Sequence, residues 1–252
     1  MLLNDAEIER YARQVVMPEI GEEGQKKLLS AHVLIVGAGG LGAPVIAGLA
    51  GAGVGHLSII DEDEADITNL NRQFIHNLKS LSQPKSVSAE QFVKGLNPDI
   101  RLSCHVARFT EENAKNLIEP CDLVIDCTDN PPTRYLANQI CQQLHTPLIF
   151  GGAVRTDGQI TSFIPGDPNS PCLRCIFPQT ELDYDQAPSC ANAGILGSTT
   201  MVIGGLQTAE AIKIIAGFGT PLVGRLLLYD GLANAFTEIE IAPDPACPVC
   251  SL

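Results

Sequence analysis

The chain has 252 residues, a formal charge of −13 and a hydrophobic share of 45%, enough for one large domain with a real core. The acidic balance argues against nucleic acid or an anionic membrane as a partner, and apolar runs such as Ile46–Val54 are too short and too glycine-broken to cross a bilayer. The mixed polar start, with Pro18 inside it, predicts no signal peptide. The nine cysteines then point to a reducing, cytoplasmic setting and to metal or thiol chemistry rather than disulfides.

The first thirty residues read as helical, with Ile8, Tyr11, Val15 and Val16 at helical spacing and Arg10 and Arg13 among them. A buried strand, Ala31 to Gly37, runs straight into glycines. A Gly/Ala-rich helix over Leu41 to Ala52 and a second strand, Leu57 to Asp61, complete a βαβ unit. Asn69 to Gln83 is polar and basic in its first half. A helix over Lys85 to Leu96 ends at Asn97-Pro98, and a third strand is expected near Ile100–Val106. Leu123 to Asp126 reads as a fourth strand, Arg134 to Leu144 as a helix and Pro147–Phe150 as a fifth strand. Strands alternating with helices in this way make a parallel sheet covered on both faces.

After Gly151 the pattern changes. Gly158 to Ile164 alternates like an antiparallel strand, and the acidic, proline-bounded Pro178 to Ser189 reads as a mobile loop. Gly204 to Gly217 is a helix with Glu210 and Lys213 on its polar face, read as a surface charge pair. Leu226–Tyr229 and Phe236–Ile241 are strands. The expected fold is a doubly wound α/β, mainly parallel Rossmann-like sheet with a C-terminal antiparallel extension. It is read as one domain, residues 1–252, in two halves, 1–150 and 151–252.

Four elements of this sequence bear chemistry. Gly37-Ala-Gly39-Gly40-Leu-Gly42 fits G-x-G-x-x-G, which permits a tight strand-to-helix turn and lets backbone N–H groups meet a phosphate at the helix N-terminus. Asp61 ends the next strand, where a carboxylate can accept from ribose hydroxyls. Asn69-Leu-Asn71-Arg72-Gln73 and Pro84-Lys85 follow, and loops at the carboxyl ends of parallel strands would aim Arg72 and Lys85 at phosphates. Several added cations suit a triphosphate better than a dinucleotide; each alone could be a solvated surface residue. Asp126-Cys127-Thr128-Asp129-Asn130 ends the fourth strand, where a carboxylate could hold Mg²⁺ or simply cap a helix. Finally, Cys172–Cys175 and Cys247–Cys250 are two C-x-x-C pairs beside Pro171 and Pro248, the ligand set of a closed, structural Zn²⁺ site.

In this order, those motifs resemble the adenylyltransferases of molybdopterin and thiamine biosynthesis, the HesA/MoeB/ThiF family on the bacterial branch of the ubiquitin-activating-enzyme superfamily. The resemblance runs from about Tyr11 to Cys250 and includes Arg13-Gln14 in the first helix. With no rhodanese-like extension after Cys250, the chain resembles the short bacterial members. The resemblance implies ATP-dependent adenylation of the C-terminal glycine carboxylate of a ubiquitin-like sulfur-carrier protein ending in Gly-Gly. Pyrophosphate leaves, and a sulfur donor such as a cysteine desulfurase or rhodanese acts next. It further implies Asp61 on the ribose, Asn69, Arg72 and Lys85 on the phosphates, Asp129 on magnesium, and Arg13 reaching a neighbouring subunit's site in a homodimer.

Cys190, in Pro188-Ser-Cys190-Ala-Asn-Ala-Gly194, matches a cysteine that thiamine-type relatives link to the carrier and molybdopterin-type relatives do without. A following helix N-terminus would favour its thiolate; the alternative is a plain loop cysteine. The segment Glu181–Asp185 would lie over the carrier's tail. Cys104, Cys121, Cys127 and Cys141 read as core or strand-end cysteines, and no histidine falls in a ligand or base pattern. Ala153 to Thr161 looks closer to the molybdopterin type, Phe177-Pro178 and the Cys247–Cys250 tail closer to the thiamine type, with the lean to molybdopterin. Two other readings are open: an NAD-dependent oxidoreductase, which leaves Arg72, Lys85 and Asp129 unexplained, and a non-catalytic partner subunit of a heterodimer, which would lack part of this set.

Overall fold

The structure, a computed structural model, describes residues 3–178 and 193–251. It opens with α1 (Asp5–Val15) and α2 (Gly21–Ser30). The start of α1 is a reciprocal cap: the Glu7 N–H donates to the Asn4 side chain and the Asn4 N–H to the Glu7 carboxylate, which satisfies two donors that the helix leaves unpaired. The helical first thirty residues are thus two helices, and Pro18 occupies the turn between them.

The alternating part follows as β1 (His32–Val36), α3 (Gly42–Ala52), β2 (His56–Ile60), α4 (Lys85–Leu96), β3 (Arg101–His105), α5 (Glu111–Ile118), β4 (Leu123–Asp126), α6 (Pro131–Leu144) and β5 (Leu148–Val154). Then come β6 (Asp157–Phe163), the one-turn α7 (Leu173–Ile176), the long α8 (Gly197–Ala216), β7 (Arg225–Asp230) and β8 (Ala235–Glu240). One eight-stranded sheet results, ordered β3-β2-β1-β4-β5-β6-β7-β8. It is parallel from β3 to β5 and antiparallel from β5 to β8.

β1 is buried on both sides, and its residues alternate between two cores. Val33 and Ile35 pack with α3, α4 and α8; Leu34 and Val36 pack with α5 and α6. That two-sided burial is what a continuous Val/Leu/Ile run encodes. Because β1 lies between β2 and β4, the strand order reverses beside it, and its register pairs Val36 with both Ile60 and Asp126. Gly37 and Cys127 therefore leave the sheet side by side, at the switch point where open α/β sheets bind ligands.

The structure corrects several element boundaries. α6 begins at Pro131 rather than at Arg134, because Asn130 caps it by accepting from the Thr133 N–H at 2.9 Å. Prolines in a first turn remove only N–H groups that had no partner. β5 runs on through Gly151 and Gly152 to Val154, pairing with β6 along its whole length. α8 begins at Gly197, seven residues before the expected Gly204, and α5 was not anticipated. Gly204 is an interior contact of α8: a Cβ there would meet Pro44 Cγ at 2.3 Å. Glu210 is not a surface residue. It is 3% exposed, and its carboxylate accepts from Ser162 Oγ at 2.8 Å and the Leu222 N–H at 2.7 Å while pairing with Lys213. It ties α8 to the antiparallel half.

Candidate active site

A cleft of about 290 Å³ opens at the carboxyl ends of β1, β2 and β4. Its floor is the glycine turn. Gly37 has φ +98°, a conformation that L side chains rarely take. At Gly42 a Cβ would lie 2.1 Å from Gly37 O, so this glycine lets α3 start tightly against the turn. Gly37, Gly39 and Gly40 line the cleft; Gly42 is behind it.

From β2 comes Asp61, whose Oδ2 accepts from the Ala38 N–H at 2.7 Å and whose Oδ1 accepts from the Asp63 N–H at 2.8 Å. Burial pushes its pKa up, against those two donors and the charge of Lys85. Each oxygen keeps a lone pair to offer a ligand. Asn69, Arg72, Gln73 and Lys85 also line the cleft. Arg72 donates from Nη1 to Thr68 O and Asn71 Oδ1, both at 3.0 Å. Lys85 opens α4 and pairs with Asp63 at 2.8 Å, and Gln73 is buried with Oε1 unpaired among the described residues.

The third wall follows β4. Asp129 is exposed there and forms no ion pair among the described residues. Asp126, 1% exposed, faces inward: Oδ1 accepts from the Thr128 N–H and hydroxyl, while among the described residues Oδ2 has only Arg134 Nε at 3.6 Å. Burial raises the Asp126 pKa; Arg134 and Thr128 oppose that shift. Arg134 donates to Gly151 O and lies over the Phe150 ring. Gln207 of α8, fully buried, donates to Asp126 O at 2.7 Å and braces the strand end from behind.

The sequence reading missed Arg108, Arg134, Asp63 and Gln207. Arg134 had a signal, since Asn130 caps the helix that carries it one turn on; Arg108 and Gln207 reach this end of the sheet only through tertiary folding. Arg13 lies on the exposed face of α1 and does not line the cleft of its own chain. Cys190 and Glu181–Asp185 lie outside the described residues. The four motif cysteines converge, with every ligand atom within 4.8 Å of the others and Sγ separations of 3.6 Å (Cys172–Cys247), 4.0 Å (Cys172–Cys175) and 3.4 Å (Cys175–Cys250). A tetrahedron with metal–sulfur bonds of ~2.3 Å has edges of ~3.8 Å, so the cluster could hold zinc. These separations are far beyond a disulfide bond of ~2.05 Å.

Sheet order, glycine turn and cleft together define a doubly wound α/β protein of the Rossmann-like class. Within that class, the chain belongs to the ThiF family, whose profile matches residues 11–249. It is 42% identical over 248 residues to a sulfur carrier protein adenylyltransferase of Thermus thermophilus, covering 97% of this chain and 91% of that protein. A SAMP-activating enzyme E1 of Haloferax volcanii is 41% identical, with 98% and 90% covered. An adenylyltransferase and sulfurtransferase MOCS3 of Anopheles gambiae is 45% identical, but the chain spans only 56% of its length. Among solved structures, E. coli MccB with succinimide has the same fold at a TM-score of 0.84 and 22% identity, covering 96% of this chain and 73% of that one. No helix of the described residues is long and apolar enough to cross a membrane.

Proposed function

We propose that this chain is an adenylyltransferase that activates the C-terminal glycine carboxylate of a ubiquitin-like sulfur-carrier protein with ATP. The observation that supports this most is the convergence of Arg72, Lys85 and Asp129 on the glycine turn, in a chain of net charge −13. Arg72, Lys85, Arg108 and Arg134 line the cleft beside four carboxylates, Asp61, Glu62, Asp63 and Asp129, so the cleft concentrates cations that a polyanionic substrate needs within a strongly acidic protein.

In this reading Asp61 accepts from the ribose hydroxyls, and the N–H groups of the glycine turn receive phosphate oxygens. Arg72 leaves Thr68 O and Lys85 is shared with Asp63, both turning to the β and γ phosphates. The carrier's carboxylate oxygen attacks the α phosphorus. The P–O bond to the bridging oxygen breaks, and the electron pair leaves with pyrophosphate. No proton moves, so the residues act by holding two anions together and stabilising the leaving charge. Asp129, an unpaired carboxylate on the cleft wall, fits a Mg²⁺ ligand; bound there, the ion would neutralise phosphate charge.

Arg13 serves the partner's cleft in a homodimer, and Cys172, Cys175, Cys247 and Cys250 hold a structural zinc. Four sulfurs leave the ion no open position, so it takes no part in chemistry. The carrier is of the molybdopterin type, on the sequence of Ala153 to Thr161. The sulfur donor is a cysteine desulfurase or rhodanese, and the setting is cytoplasmic. Product analysis tests the reading. With a carrier ending in Gly-Gly, ATP should yield pyrophosphate and AMP joined to the carrier's C-terminus; ADP and phosphate, or turnover indifferent to the carrier, would overturn it.

A further inference from the structure

The peptide unit joining Ala38 to Gly39 is held from behind the cleft. His76, which is buried, places Nε2 3.0 Å from Ala38 O and Nδ1 2.9 Å from Ser88 Oγ. A carbonyl only accepts, so Nε2 carries the proton and Nδ1 accepts from the serine hydroxyl. Burial, the largest influence on this ring, keeps it neutral; Lys85 acts in the same direction, against Asp61 and the Ala38 carbonyl.

The described peptides include no cis bond, and in a trans peptide C=O and N–H point in opposite directions. Anchoring Ala38 O on His76 therefore turns the Gly39 N–H away from His76. Gly39 lines the cleft, and its N–H donates to nothing among the described residues. The preceding peptide is held as well, by the Ala38 N–H on Asp61. Ser88 stands one turn after Lys85 on α4, so the imidazole also ties the helix bearing the cleft lysine to the glycine turn.

We propose that His76 is a positioning residue that aims the Gly39 N–H at a phosphate oxygen of the bound nucleotide. The identity of that nucleotide rests on the adenylation reading; the alignment of the peptide does not. The signature is loss of affinity for the phosphates with none for the nucleoside, which a general loosening of the fold would not produce.

The test is equilibrium binding of Mg-ATP and of adenosine to the full chain without carrier. Leaving the Ala38 carbonyl unpaired in His76→Phe should weaken ATP about tenfold and leave adenosine unchanged. His76→Gln, which can still donate from a similar position, should recover to within about threefold of wild type. Equal losses for ATP and adenosine, or no loss for ATP, would overturn the proposal alone. Failure of the wild type to bind ATP would sink it together with the adenylation reading. Should His76→Phe not fold, Ser88→Ala carries the test: about threefold weaker ATP, adenosine unchanged, with unaltered ATP affinity counting against the role.

Discussion

Replacing Arg134 by methionine would leave the buried Asp126 Oδ2 with no counter-charge, since Thr128 serves only Oδ1. Removing one partner of a buried pair is costly, and we expect Arg134→Met to lose about 3 kcal/mol of stability. The pH dependence identifies the cause. Burial already raises the Asp126 pKa, so its ionised form burdens the folded state above the ordinary carboxylate range and the burden lifts as pH falls. Without Arg134 the folded-state pKa rises further. Urea titrations should show the gap between variant and wild type narrowing as pH falls; a gap that stays constant would assign the loss to packing over Phe150. Arg72→Ala and Asp129→Ala are expected to behave oppositely, abolishing adenylation with the fold and zinc content unchanged, because both face the cleft. At this scale the sequence was most legible where chemistry demands one residue type at one spacing, as at Gly37, Asp61, Arg72 and Lys85. It was mute at Gln207 and His76, whose spacing carries no motif and whose partners, Asp126 O and Ala38 O, are backbone atoms brought near by folding.

Opposite the cleft, at the amino ends of β1 and β2, His32 and His56 are register partners and stack with centroids 3.6 Å apart. Ser58 and Ser103 bond their Nε2 atoms. Burial, then the neighbouring His32 and Arg101, lowers the His56 pKa from 6.5 to about 4. Burial lowers His32 too, against Pro120 O and Asp122. Folded-state values below the unfolded one mean stability that is complete above the ordinary histidine pKa and is lost as pH falls toward about 4. The melting temperature of the wild type should decline over that window, and His56→Gln should flatten the decline; an unchanged slope would contradict the assignment. The cysteine cluster acts on elements as well, joining α7 to the tail after β8. Cys172→Ser or metal removal should lower the melting temperature and release zinc, with adenylation retained below the new midpoint. Most elements were readable from period and punctuation. α5 was not, because its apolar face is only Ala114, Leu117 and Ile118 on an otherwise polar segment. The early start of α8 was hidden by Gly204 and Gly205, which read as the point where the helix begins until Pro44 of α3 is seen packed against the first.

For the whole molecule, the arrangement to be tested is a site shared between two subunits. If Arg13 completes the partner's cleft, Arg13→Ala and Arg72→Ala are each inactive alone, yet a mixed dimer holds one intact site. Equal mixing with free exchange gives half mixed dimers, so activity should return to about a quarter of wild type; no recovery would place Arg13 outside the site. The doubly wound, mainly parallel sheet was legible, since alternating strands and helices admit few topologies; the strand order that brings the walls together came from the structure. A homodimer was expected from the resemblance alone, because a single sequence does not state what covers an exposed helix. Carrier choice was equally hidden, for it depends on a docking surface spread over the chain. The central claim is adenylation of a carrier's C-terminus, and ATP–pyrophosphate exchange with Mg²⁺ tests it most directly. The account predicts exchange that requires a carrier ending in Gly-Gly, vanishes when that dipeptide is removed, and is lost in Arg72→Ala. No exchange with either carrier type, in folded dimeric protein retaining zinc, would contradict it.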